Sequence, residues 1–133
     1  MTEKGYGMTT RLDLSYEEAV ERTRAALQEE GFGVLTEIDV KATFKKKLDA
    51  DFRKYVILGA CNPPLAHRAL QAELEIGLLL PCNVIVYEED DGAVVSAIDP
   101  LAAMSIADVP GLEEVAATVQ AKLGRVIEKF AGM

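Results

Sequence analysis

A chain of 133 residues with a net charge of −8, 50% of it hydrophobic and 27% charged, has the length and balance of one globular domain. The acidic balance opposes nucleic-acid binding, whose affinity comes from Lys and Arg displacing phosphate counterions, and equally opposes docking on anionic membrane. Two cysteines make no secreted disulfide framework, and the longest apolar run, Ile76–Pro81, is too short to span a bilayer. With no signal-peptide pattern at the N-terminus, the expectation is one cytoplasmic domain over residues 1–133.

Thr9–Leu14 alternates as a half-buried strand does. Ser15 and Glu18 then form a capping box, with Leu14 and Ala19 placed as a hydrophobic staple. Ala19, Val20, Thr23, Ala26 and Leu27 share one helical face, and Gly31 supplies a left-handed stop. Gly33–Val40 resumes the strand pattern, with Val34, Thr36, Ile38 and Val40 on one side. Lys41–Asp51 reads as a short helix with Phe44 and Leu48 inward.

Arg53–Cys61 contains consecutive Val56, Ile57 and Leu58, which predicts a central strand buried on both faces. The period changes at Asn62, a favoured N-cap, followed by Pro63 at the first helical position. The helix then runs over Leu65–Ile76 with Ala66, Ala69, Leu70 and Leu74 on its apolar face, ending at Gly77. A further apolar strand lies within Leu78–Tyr87. Asn83–Glu89 and Ala93–Ile98 flank Asp90-Asp91-Gly92, a hairpin signal. Leu101–Ile106 reads as a connector. Asp108 and Pro110 open a last helix whose face carries Leu112, Val115, Ala116, Val119, Leu123, Val126, Ile127 and Phe130. The order β-α-β-(short α)-β-α-β-β-α predicts an α+β fold: one mostly antiparallel sheet of five to six strands with helices on one face.

The segments Tyr55-Val56-Ile57-Leu58-Gly59-Ala60-Cys61-Asn62-Pro63 and Leu79-Leu80-Pro81-Cys82-Asn83-Val84 resemble the bacterial and archaeal domain of unknown function 302 family. The resemblance extends from Gly31-Phe32-Gly33 through Ile98-Asp99-Pro100 to the closing helix. It implies a TATA-binding-protein-like arrangement and a homodimer, and it brings no activity with it. A fold shared with a DNA-binding protein does not transfer DNA binding.

Cys61 stands just before a helix N-cap, where free N–H groups and the helix dipole favour a thiolate, whereas burial at a strand end would leave it an inert small hydrophobe. Cys82 follows 21 residues later, and the intervening helix can return the chain so that both sulfurs reach one end of the sheet. Their spacing matches neither Cys-x-x-Cys nor a zinc pattern, so no metal or cofactor is expected. His67, the one histidine, lies a turn into the helix and could face Cys61. Asn62 is a cap or a ligand contact at the same corner. Lys45, Lys47 and Arg53, with Lys46 and Lys54, make a basic patch able to steer an anion, diluted by Asp49 and Asp51. No complete catalytic motif is present. The leading expectation is a small-molecule or partner site at the Cys61–Asn62 corner. Its rivals are a thiol-based redox enzyme or sensor using Cys61 and Cys82, and a non-catalytic interaction module using a sheet edge.

Overall fold

The computed structural model describes residues 2–3 and 5–131. Residues 1, 4, 132 and 133, which the expected single domain includes, lie outside them. In chain order the elements are β1 (Thr2–Glu3), β2 (Gly7–Leu12), α1 (Tyr16–Glu29), β3 (Gly33–Asp39), α2 (Val40–Leu48), β4 (Tyr55–Cys61), α3 (Pro63–Ala72), a 3-10 helix (Leu74–Leu79), β5 (Cys82–Glu89), β6 (Gly92–Ile98), α4 (Pro100–Met104) and α5 (Leu112–Glu128). The strands form one six-stranded sheet in the order β1-β2-β6-β5-β4-β3, each neighbouring pair antiparallel.

The α+β expectation holds, and several of its local devices are visible. Ser15 Oγ accepts from the Glu18 amide at 3.1 Å. Gly31, at φ +86°, ends α1 in a Schellman motif: its own N–H donates to Gln28 O and the Phe32 N–H to Leu27 O at 2.9 Å. Glu89 pairs with Gly92 across a two-residue turn in which Asp90 takes the left-handed conformation.

Register assigns the faces. Leu58, Val84, Ala97 and Met8 lie in one row across four strands, and Val56, Val86, Val95 and Thr10 in the next. All are buried beneath the helices. α1 packs on β5 and β6, α5 on β6 and β2, and α3 against α5. The predicted apolar face of α5 is buried along its whole length, from Leu112 to Phe130. The buried Thr23 hydroxyl donates to Ala19 O at 2.7 Å, so it enters the core satisfied.

Other expectations change. β4 is interior but covered on one face only: Ile57 and Tyr55 are half-exposed on the other, because the helices all but α2 lie opposite. β3 carries a bulge between Val34 and Thr36, so Val34 shares the helix face with Ala60 while Thr36 and Ile38 turn to the open face with Gly59 and Ile57. The extra residue reverses the alternation that had placed all of them together. Glu37 thereby reaches the helix face and pairs with Arg24 of α1. Leu48 is 69% exposed rather than inward, and α2 is held by Phe44 against Phe52 at 5.2 Å. α3 stops at Ala72 because Glu73 is extended, leaving Leu74 82% exposed on the 3-10 helix. The expected connector contains a helix, α4, capped by Asp99 at Leu101 N and Ala102 N. Asp108 does not cap α5; that helix begins at Leu112 behind Gly111, whose φ of +93° only glycine adopts freely.

Candidate functional site

The junction of β4 with α3 brings small residues together. Ala60 projects from the sheet, and Ala66 and Ala69, three apart on α3, face the same space. Elsewhere the helix–sheet interface is filled by Leu58, Val84, Val86 and Leu123, each fully buried. Here three methyl groups leave an open cavity of about 300 Å³. Val115 and Val119 of α5 and Met104 of α4 close its back, while Phe32 and Leu35 close the side next to β3. Its lining includes no charged side chain; Thr36 and Asn62 are its polar members besides the two thiols.

Gly59 shapes the wall beside it. A Cβ there would collide with the Thr36 hydroxyl and lie 2.8 Å from Pro81 Cγ, so only glycine lets those two residues close over the strand.

Both cysteines line the cavity, so the chain does return them to one end of the sheet. Each is a free thiol; Cys61 is half-buried and Cys82 is 7% exposed. Burial, and secondarily the nearby Cys61, pushes the Cys82 thiol up to about 11. At neutral pH Cys82 is therefore a protonated, weakly nucleophilic group.

The helix end beside Cys61 is poorer in donors than the sequence pattern implied. Pro63 and Pro64 occupy its first two positions and carry no N–H. Ala66 N already donates to Asn62 O at 2.9 Å. Asn62 sits at the N-cap position without capping: its Nδ2 donates instead to Glu30 O, 3.4 Å away at the end of α1. Glu30 in turn accepts from Arg125 Nε and a terminal nitrogen at 3.2 and 3.0 Å, an interaction that holds its carboxyl below the usual range. Asn62 thus ties three elements together behind the cavity.

His67 is exposed and does not line the cavity, so no thiol–imidazole pair forms. The basic patch is also remote. Arg53 precedes β4 and the cavity follows it, a separation of about 20 Å at 3.3 Å per residue. Lys45 pairs with Asp49 and Asp51 at 3.0 and 3.6 Å. Arg53 lies 3.9 Å from Glu89 and 5.8 Å over the Tyr87 ring, and Lys47 is solvent-exposed. These residues do not converge on the candidate ligand site.

The sequence reading did not place Phe32, Ala60, Ala66, Ala69 or Met104 at the candidate site. The available signal was the small side chain of Ala60 at the end of the apolar strand, followed by Ala66 and Ala69 three apart on the next helix.

Fold and cavity define a small α+β domain with an apolar pocket at one end of an open antiparallel sheet. The chain belongs to a family described as a domain of unknown function, DUF302, whose model matches residues 8–130. It is similar to the crystal structure of an uncharacterized conserved protein DUF302 from Bacillus stearothermophilus, with a TM-score of 0.87 and 31% identity over 94% of this chain and 98% of that one. No curated protein matches. Among the described residues no helix is long and apolar enough to cross a membrane.

Proposed function

We propose that this domain binds a small, largely apolar molecule in the cavity between β4 and α3. The carrying observation is the cavity itself: about 300 Å³, open to solvent and lined without a charged group. That size is at the lower end for small-molecule sites, and the scarcity of polar anchors favours an aliphatic or aryl ligand over a phosphate or sugar. The thiol-redox reading has less support, since Cys82 is held protonated and Cys61 lacks a base. Use of a sheet edge is also less supported, because β3 is bulged and β1 is only two residues long. Free thiols suit a reducing compartment such as the cytoplasm.

Titration with a neutral solvatochromic dye, followed by displacement with decanol, tests the reading. Saturable one-to-one binding that decanol reverses and a diol of equal length does not is the expected result. Absence of saturable binding refutes it.

The open face favours a second copy of the chain as partner. Ile38, Ile57, Ile85, Ser96 and Thr9 form one cross-strand row, and Tyr55, Tyr87, Val94 and Arg11 the next. Charge is thus nearly absent from its centre, so two acidic protomers can meet there without repulsion, and there is little to neutralise phosphate. Five strands at about 4.8 Å by about 21 Å give about 500 Å² per protomer, or about 1,000 Å² in total, the threshold for a specific interface. Sedimentation velocity should find a dimer that Ile57→Lys with Ile85→Lys converts to monomer. A monomeric wild type, or a variant that stays dimeric, would overturn this.

A further inference from the structure

Met104 borders more than one space. Besides closing the cavity between β4 and α3, it lines a second cavity of about 240 Å³ together with Leu78, Leu79, Ile98, Pro100 and Ala103. The two spaces have four lining residues in common. Three of them, Leu80, Pro81 and Cys82, are consecutive and lead from the 3-10 helix into β5, so they make one continuous side of both. Met104, at the end of α4, is the fourth. Among the described residues it is thus the shared side chain that a separate element supplies.

This divider is held in place. Met104 is 6% exposed, and its carbonyl accepts from Ala107 N at 3.0 Å. The Asp99 carboxylate caps α4 and accepts twice from Gln120 of α5. The second cavity resembles the first chemically: no charged side chain lines it, and Asn83 is its polar member besides the Cys82 thiol. A third space of about 540 Å³ also touches Met104, but Ser105, Asp108 and Glu113 line it, and an alkyl chain gains nothing by desolvating carboxylates.

We propose that Met104 is the end wall of the ligand site and sets the longest alkyl chain that the site accepts. The inference rests on the apolar-ligand reading and narrows it to a class. Two uncharged spaces in tandem, divided by one side chain, suit a linear aliphatic molecule better than a fused ring. A pocket discriminates between homologues by what its far wall refuses, so the residue there decides chain length. The second cavity is the room a longer chain would enter past a smaller residue.

Displacement of the dye by straight-chain alcohols from hexanol to hexadecanol, each below its solubility, tests this. In the wild type each added methylene should tighten binding about fourfold, the equivalent of about 0.8 kcal/mol, until a break after which longer chains gain nothing. Met104→Ala should move that break by more than about three carbons, the space of the atoms removed, because the chain then runs on into the second cavity. Ala103→Leu fills that cavity without lining the first, so it should leave the wild-type break in place and restore it in the double variant. Met104→Val cuts the side chain back by a smaller step, and if the alanine variant does not fold, its break should still exceed that of the wild type. A wild type without a break, a break that stays put or moves by about three carbons or fewer in Met104→Ala, or a double variant that keeps the extended range would overturn the proposal. The two readings fail differently. Absence of saturable binding by every alcohol removes the ligand site itself, whereas binding whose length limit ignores Met104 removes only this wall.

Discussion

If the space beside α3 is empty and apolar, enlarging one of its alanines should stabilise the protein while closing the site. Ala66→Leu is the apt change, because Ala66 is half-buried, lines the cavity and sits mid-helix, where Leu is almost as favourable as Ala. Three added carbons buried at about 0.8 kcal/mol each contribute about 2.4 kcal/mol. Ordering the leucine side chain costs about 0.5–1 kcal/mol, leaving about 1.5 kcal/mol net. For a domain of this size that corresponds to a rise in Tm of about 6 °C, taking about 4 °C per kcal/mol. Urea melts and calorimetry measure the stability, and dye titration measures the site, whose affinity should fall at least about tenfold, the equivalent of 1.4 kcal/mol. A loss of stability above about 1 kcal/mol would mean that α3 already packs tightly there. An unchanged dye affinity would place the ligand elsewhere.

Gly59→Ala should destabilise by about 1–3 kcal/mol in urea melts, because the new methyl group collides with the Thr36 hydroxyl and crowds Pro81; an unchanged midpoint would show that this wall yields freely. Asp99→Ala removes the cap of α4 and the two bonds from Gln120, so a loss of about 2–3 kcal/mol is expected, with weaker dye binding as Met104 loosens. Stability lost with dye affinity unchanged would separate α4 from the site. Cys82 predicts a pH dependence. Its thiol ionises near 9.0 when unfolded and at about 11 when folded, so between those values the native state keeps a proton that the unfolded chain has released. Stability therefore falls as pH rises through that window, by about 2 kcal/mol between about pH 8 and about pH 10.5. Cys82→Ala should lose that component, and identical pH slopes for the two proteins would refute it.

What the sequence determined lies within a few residues of itself. Ser15 with Glu18 opens α1, Gly31 closes it, Asp90-Asp91-Gly92 turns the hairpin, and the period of Leu112–Phe130 fixes the buried face of α5. Caps, left-handed stops and apolar periodicity act over one or two turns, so their signal is local. The Cys61–Asn62 corner was legible for that reason, and so was the return of Cys82 to the same end of the sheet. Even the poverty of donors at α3 was written in Pro63-Pro64, although the helix pattern drew attention away from it.

Tertiary structure decided the rest. Whether Thr36 and Ile38 face helices or the open side depends on a bulge that exists only against β4. The partner of Asn62 is a carbonyl 32 residues away, which no cap rule can anticipate. Leu48 and Leu74 obey helical periodicity yet stay 69% and 82% exposed, because periodicity marks a face and packing decides whether it is covered. The cavity is a deficit of volume where a strand and several helices meet. Each contributes a side chain that is unremarkable by itself, and only their assembly leaves the space that the proposed ligands would occupy.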